Sequence, residues 1–506
     1  GLQAANTSLT ITGHNVSNIN TKGYTKQQAG TQAADALRTH TTYGAIGSGV
    51  VVTEISQIRD SYYDVKYRNN MANYGQYSVK ESYMGQIEDY LDEFTLNGYS
   101  QEYKNFFSAV NQLTITPGDT SAKNQLINNA KSLADYFNTL TTNLRNVQAD
   151  ANNEIKDAVQ QINSYAKNIA ALNRQINQIE ANYGNTNDLR DKRNAMIDEL
   201  SEIVNLETSE EDMGNNVSNF SVRINGQTLV SSYSYNTLET VARTDKKNYS
   251  DAEGLYDVQW NSGQKFDMYS TSLSGHLKGL IDIRDGNNGE HENIETDDDG
   301  NNVTDSDGNL VLTTAPAADK TVSYKGVPYY QAQLNEFAKI FSDAVNKIMK
   351  SGYTSDGSSK GISLFVTQPN TTVMSAGNIT VNPELLKNAD LLAIKKEQND
   401  GESDAKIMEE LNKLQSEKIF AGGTGSYFLE SIVSDMSIDS QKAVNLYKNY
   451  TDLKTSIHNQ RLSIMGVDTD EEAMDMIKYQ QAYNLNSKMM SVMNQIYDKL
   501  INQTGI

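Results

Sequence analysis

From Thr469 to Leu500, apolar and near-apolar residues recur at Met476, Tyr479, Tyr483, Asn486, Met490, Met493, Tyr497 and Leu500. The intervals alternate between three and four, the seam of a coiled coil, with Asn486 as its one polar interruption. Neither Pro nor Gly falls between Thr469 and Gly505, so the stretch to Ile506 reads as one long amphipathic helix. Two capping boxes could open it, Thr469 with Glu472 or Asp468 with Glu471. Ala482, Met489 and Ile496 widen the stripe, and an apolar stripe that wide needs a cover.

The opposite end of the chain offers one. Leu2, Ala5, Leu9, Thr12, Val16 and Ile19 follow a second three-four pattern, which stops between Asn18 and Gly23, residues that tolerate the left-handed conformation. The two stripes suggest that the chain ends meet. Packing of each helix on its own nearest domain is the competing reading. The sequence opens at Gly1 inside an apparent helix, which creates the expectation of a short preceding piece.

Between the ends, 506 residues are too many for one core. A strand-like run covers Gly49–Ile55. A Tyr-rich helix begins near Asp60, with Tyr63, Tyr67, Tyr74 and Tyr77 expected in an aromatic core. After Pro117-Gly118 comes the longest helical signal, Ser121 to Tyr183. Its heptad phase slips through Ile155 and Val159, which implies local unwinding or a break between two helices. A further helix covers Asp188–Leu206. Then the texture changes: Phe220–Ile224 alternates as a strand, Asn225-Gly226 is a two-residue hairpin turn, and short strands continue to Phe266. Gly275–Asp285, Tyr329–Lys350, Asp404–Phe420 and Tyr427–Met465 have helical spacing. Gly286–Asn309 reads as an exposed acidic loop or small hairpin, and Gly422–Ser426 as a flexible joint.

The expected fold class is therefore multidomain α+β: terminal helices paired as a coiled coil, a long-helix bundle domain and an inserted strand-rich mixed domain. The expected boundaries are 1–30 with 466–506, 31–207 with 427–465, and 208–426.

Little in the chain points to chemistry. A net charge of −21 disfavours nucleic acid and anionic membrane. The absence of cysteine excludes disulfides, thiolate zinc sites and thiol catalysis. No apolar run approaches twenty residues, and no basic-then-apolar leader is present. His14, His40, His276, His291 and His458 are never paired at ligand spacing. His291-Glu292-Asn293-Ile294-Glu295 resembles the start of a zinc-protease helix but has Glu where the second His belongs. Glu295, Asp297, Asp299 and Gly300 mimic part of a calcium loop, yet Ser306 stands at the twelfth position. Gly422–Ser426 lacks the Lys of a phosphate loop. The expectation is no catalytic residue, no metal and no cofactor.

Two motifs at opposite ends resemble bacterial flagellar axial proteins, the rod and hook family. One is Gly13-His14-Asn15-Val16-Ser17-Asn18-Ile19-Asn20-Thr21-Lys22-Gly23-Tyr24. The other is Gly466-Val467-Asp468-Thr469-Asp470-Glu471-Glu472 with Tyr479-Gln480-Gln481-Ala482-Tyr483. Lys26 stands where that family more often has Arg. Within the family, three stretches resemble the hook-associated branch. They are the long heptad helix followed by Asp188–Arg193 and Asp198–Leu200, then Gly279–Asp285, then Pro328–Asn335.

The resemblance implies a structural adaptor at the junction of hook and filament. It implies a ring of copies of the chain, which meets hook protein on one side and a second junction protein (hook-associated protein 3) on the other. It also implies a cytosolic export chaperone for the C-terminal helix, export unfolded through the flagellar type III channel, an extracellular location, and ends that stay mobile until assembly. The assembly interface would be Leu2, Leu9, Val16, Ile19, Met476, Tyr479, Tyr483, Met490, Met493, Tyr497 and Leu500. Two alternatives remain open: another axial protein such as hook or distal rod, and a secreted enzyme or calcium-binding protein carried on a flagellar scaffold, with Gly286–Asn309 as its site.

Overall fold

The long heptad run after Pro117 folds as one unbroken helix. In the computed structural model, which describes residues 1–38, 45–93, 99–286, 294–297, 301–305, 307–313, 325–401 and 403–503, this helix spans Thr120–Glu180. The phase slip at Ile155 and Val159 is thus a shift of the buried stripe within a continuous helix, since both residues are buried on it. The other helices, in chain order, are α1 (Leu2–Ser17), α2 (Ser61–Glu93), α3 (Tyr99–Ile115), the long helix itself as α4, and α5 (Asn187–Ile203). Then come α6 (His276–Asp285), α7 (Val327–Ser351), α8 (Pro383–Lys387), α9 (Lys406–Lys413), α10 (Gly425–Met465) and α11 (Thr469–Asp498).

The strands are short and all paired antiparallel. β1 (Gln27–Ala33) pairs with β4 (Val50–Gln57), and β2 (Leu37–Arg38) with β3 (Ala45–Ile46). β5 (Glu207–Asp212), β6 (Ser218–Ile224), β7 (Gln227–Ser231) and β8 (Ser234–Tyr235) form a meander. Its β6–β7 turn is the expected Asn225-Gly226, both at positive φ (49° and 77°). β9 (Leu238–Ala242) pairs with β10 (Tyr256–Trp260). β11 (Tyr353–Thr354) pairs with β14 (Ala393–Lys395), and β12 (Phe365–Thr367) with β13 (Ile379–Val381).

Two compact units divide the chain. The first comprises Gly1–Tyr74, Gln161–Thr237 and Asn449–Ile506; the second comprises Gly75–Gln160 and Leu238–Lys448. In the first unit, Asn173 and Asn177 of α4 hold the β5–β8 meander by its backbone. Their amides donate to Ser232 O (2.9 Å) and Ser218 O (2.7 Å). Arg193 of α5 lies 3.8 Å from the centre of the Phe220 ring.

The core of the second unit is aromatic. Phe137 of α4 stacks on Phe337 of α7 at 5.3 Å, Phe337 stacks on Phe420 at 4.9 Å, and Phe420 on Phe428 at 4.9 Å. Beside it, the α6 motif buries its charges in pairs. Asp282 lies between Lys80 (2.6 Å) and Lys278 (2.8 Å), and Asp285 between Arg284 (2.6 Å) and Arg243 (2.8 Å). Burial opposes the charge of Asp285, but Arg284 and Arg243 overcome it and hold the carboxyl well below the usual range. Pro328 lies in the first turn of α7, where its missing N–H costs nothing.

Three expectations change. Tyr63, Tyr67, Tyr74 and Tyr77 are only half-buried, and the core positions of α2 are Met71, Ala72, Val79, Tyr83, Met84, Ile87 and Leu91. The tyrosines sit at the rim, where cations cover the ring: Lys454 over Tyr74 (3.8 Å) and Arg461 over Tyr67 (4.9 Å). In Gly422–Ser426, Gly423 and Gly425 are packing sites and Gly422 makes a turn at φ +98°, rather than forming a loose joint. A Cβ on Gly425 would lie 2.6 Å from the Tyr103 hydroxyl, and Phe420 and Gly423 exchange backbone hydrogen bonds. The helix expected over Asp404–Phe420 is shorter, ending at Lys413.

Of the acidic stretch, the described parts pair through backbone bridges, Ile294 with Leu312 and Thr304 with Leu310. His40, His291, Glu292, Asn293, Asp299, Gly300 and Ser306 lie outside the described residues, so the zinc-protease and calcium-loop resemblances are not placed by the structure. Among the described residues no helix is long and apolar enough to cross a membrane.

Candidate assembly site at the chain ends

Asp468 caps α11: its carboxylate accepts from the backbone N–H groups of Asp470 (2.9 Å) and Glu471 (3.1 Å). This leaves Glu472 free for another task. Gly466 precedes the cap because a Cβ there would meet the Leu462 carbonyl at 2.5 Å. At the other end α1 stops at Ser17. Its cap, Asn18, stays at φ −108° rather than left-handed, and the turn is completed by Gly23 at φ +80°.

The terminal helices pair antiparallel. Gly1 stands beside Asn486, and Asn15 donates to Glu472 Oε2 at 3.1 Å. The face that α1 buries is Ala4, Ala5, Ser8, Ile11, Thr12 and Asn15. Small side chains let the helix backbones approach. They push the expected seam residues Leu2, Leu9 and Val16 to half-buried flanks and leave Ile19 exposed. On α11, Met476 and Tyr479 are half-buried, while Tyr483, Met490, Met493 and Tyr497 are exposed, as is Leu500 just beyond the helix. From Ser487 to Gln503 every residue is exposed. The structure therefore brings the first half of the α11 stripe against α1 and leaves the second half bare.

Four residues after α1 tie this hairpin to the helices of the first unit. The Tyr24 hydroxyl donates to Asn15 Oδ1 (2.8 Å). Thr25 donates to Asp191 through its N–H (2.9 Å) and its hydroxyl (2.7 Å). Lys26 donates its N–H to the Met465 carbonyl (2.9 Å) and its ammonium to Glu471 (2.6 Å), with Glu472 at 3.2 Å. Gln27 N–H donates to Asn15 Oδ1 (3.0 Å), and its side chain to Asp188 (2.8 Å).

Behind this segment runs a chain of ion pairs. Arg59 holds Asp64 (2.6 Å) and reaches Asp191 (3.4 Å); Arg461 joins Asp64 (2.8 Å) to Asp198 (2.6 Å); Arg68 closes on Asp198 (2.8 Å). Burial works against the Lys26 charge, but the Glu471 and Glu472 carboxylates that face its ammonium prevail and raise its pKa. Burial dominates at Asp191 and raises its pKa despite Thr25 and Arg59. An open cleft of about 630 Å³ adjoins the network, lined among others by Lys22, Tyr67, His458 and Arg461.

Sequence reasoning did not select Lys26, Glu472, Asp191, Asp198 or the arginines as site residues. All but the arginines lay in or beside the quoted motifs. What was missing was a partner for each, and the partners come from distant segments. The described histidines stay apart: His14 lies 3.4 Å from Asp188 and His276 3.6 Å from Glu154. Among the described residues, no group of three or more His, Asp or Glu could hold a metal ion.

Comparison with known proteins matches this geometry. The model of the flagellar basal body rod FlgEFG protein C-terminal region fits residues 458–503, the segment that includes α11. Over its full length the chain is 26% identical to flagellar hook-associated protein 1 of Bacillus subtilis, covering 97% of that protein. It is 27% identical to hook-associated protein 1 of Salmonella typhimurium, over 99% of the chain and 98% of the relative. The flagellar hook junction protein FlgK from Burkholderia pseudomallei shares the fold at 15% identity, with a TM-score of 0.61 over 79% of this chain and all of that one. The model of the flagellar hook-associated protein FlgK helical domain fits residues 84–365, more than half of the sequence, and the chain belongs to the flagellar hook-associated protein FlgK family.

Proposed function

We propose that this chain is the structural adaptor of the hook–filament junction, a ring of identical subunits that caps the hook and receives the filament side. The family is one of structural flagellar proteins rather than of enzymes, and its members assemble with hook and axial components outside the cell. The observation that carries the reading is the half-covered C-terminal helix. α11 is anchored at its start by α1; its second half and the Lys499–Gln503 turn that continues it then present an uninterrupted exposed run bearing Met489, Met490, Val492, Met493, Ile496, Tyr497, Leu500 and Ile501. A bare stripe of this kind is an association surface.

In this reading the stripe, with the flanking Leu2, Leu9, Val16 and Ile19, packs against neighbouring copies, and apolar burial offsets the ordering of the ends. The terminal hairpin, the helical section and the strand-rich middle act as three functional domains, 1–30 with 466–506, 31–207 with 427–465, and 208–426. One ring face meets hook protein and the other hook-associated protein 3. Before assembly a cytosolic chaperone covers the C-terminal helix, and the chain leaves unfolded through the flagellar type III channel. The family assignment and the complete lack of cysteine support this part of the reading.

Electron microscopy of cells lacking the chain tests it. Hooks without filaments, with flagellin free in the medium, are the expected result. Absent hooks would move the protein to the rod or the hook itself, and normal filaments would end the proposal.

A further inference from the structure

Helix α11 is thirty residues long and buries one of them, Glu472, at 1% exposure. A carboxylate is a poor candidate for the only buried residue of a helix unless it is matched, and here it is. Asn15, itself 1% exposed, donates to Oε2 at 3.1 Å, and the Lys26 ammonium faces Oε1 at 3.2 Å as a charge contact. Asn15 cannot turn away, because its Oδ1 already accepts from Tyr24 and Gln27 and its amide also donates to the Gln27 carbonyl. Apart from Asn15, the face that α1 buries (Ala4, Ala5, Ser8, Ile11 and Thr12) carries no charge, and its small residues do not by themselves dictate one rotation of an opposing helix. Glu471, one residue away and exposed, also binds Lys26, so a rotation of α11 by one position would keep an ion pair and change the face presented outward.

We propose that Glu472, through Lys26 and Asn15, is the positioning residue that fixes the rotation and register of the C-terminal helix on the N-terminal one. Buried polar groups at single seam positions specify register at a cost in stability, and removing one partner leaves the other buried and unmatched. The consequence bears on the assembly reading, since the rotation of α11 decides which residues form its bare stripe. The inference itself rests only on contacts within one chain.

The test exploits the cysteine-free sequence. Gly1→Cys and Asn486→Cys, introduced together into the full chain, place two thiols where the structure sets these residues side by side. Oxidation is expected to link them in high yield. Adding Glu472→Gln should cut the yield at least tenfold, whereas Glu471→Gln should leave at least half of it. Lys26→Met removes the cation without touching α11 and should lose the link as Glu472→Gln does. Retention of the link in Lys26→Met, or an equal loss in Glu471→Gln, overturns the proposal even if Glu472→Gln fails to fold. The cross-link is read on the monomer, so its failure is separate from failure of the ring reading, which the microscopy addresses.

Discussion

Helices α4 and α11 are both long, both heptad-patterned and both nearly free of helix breakers, yet they meet opposite fates. Along α4, Leu126, Leu133, Phe137, Leu140, Leu144, Ile155, Ile162, Ile169 and Ile176 are all buried within the chain. Along α11 the equivalent stripe is half-buried at Met476, Tyr479 and Asn486, and every residue beyond Asn486 is exposed. Periodicity states that a helix has an apolar face. It does not state whether the cover is supplied by the same chain. The lesson is that an exposed heptad face is informative only once the rest of the fold has been given the chance to cover it, and in this molecule it declines to do so over the last turns of α11.

Core and stripe should respond oppositely to mutation. Phe137→Ala removes a ring stacked on Phe337 and should destabilise the second unit by about 3–5 kcal/mol, read as a shifted midpoint in urea. Equal midpoints would mean that α4 is less tightly packed than its burial implies. Next in size is Arg461→Ala, which strips one cation from between Asp64 and Asp198. Breaking this buried pairing should cost roughly 3 kcal/mol, with early loss of the first unit in a thermal melt.

A smaller effect concerns pH. Burial, with the charges of Asp305 and Asp307 next, lifts the Asp343 carboxyl to about 6. Between its unfolded value near 4 and about 6, the native state binds more protons than the unfolded one, so this group's contribution to stability falls as pH rises through that window. Asp343→Asn should raise the melting temperature at pH 7 by a few degrees at most and flatten the dependence between pH 4 and 6, because partial exposure screens the effect. A steeper dependence in the variant would reverse the assigned sign.

The smallest stability effect should come from the stripe. Met490→Ser with Met493→Ser should change the unfolding free energy by no more than about 0.5 kcal/mol, since both residues are already exposed. The same pair should abolish assembly in a sedimentation assay and motility in cells. Destabilisation of the monomer with assembly intact would place the contact surface elsewhere. Amide exchange sharpens the contrast without mutation: Ser487–Gln503 should exchange far faster than the buried turns of α4.

Much of the fold was legible. The limits of α7 and α10 and the starts of α5 and α11 were read to within two residues from glycines and apolar spacing, whereas α5 stops at Ile203 and α11 at Asp498, short of the expected ends, and Asn225-Gly226 announced its hairpin. The aromatic rim of α2 was misread because spacing cannot distinguish a ring in a core from one under a lysine. Of the candidate site, the exposed residues of α11 were readable and the anchoring residues were not. Glu472 looks in sequence like part of a capping box. Only the finding that Asp468 does the capping releases it for the bond to Asn15.

Local chemistry alone determined that this chain has amphipathic helices at both ends, a long heptad-patterned helical run after Pro117 and no cysteine to cross-link them. Those properties depend on residues a few positions apart, where helix geometry sets the spacing. The tertiary structure decided which half of α11 is covered, which face of α1 covers it and why a glutamate sits in the seam. Asn15 and Glu472 are 457 positions apart, as are no two residues that any local periodicity connects, and their pairing exists only where folding has brought both chain ends to Lys26.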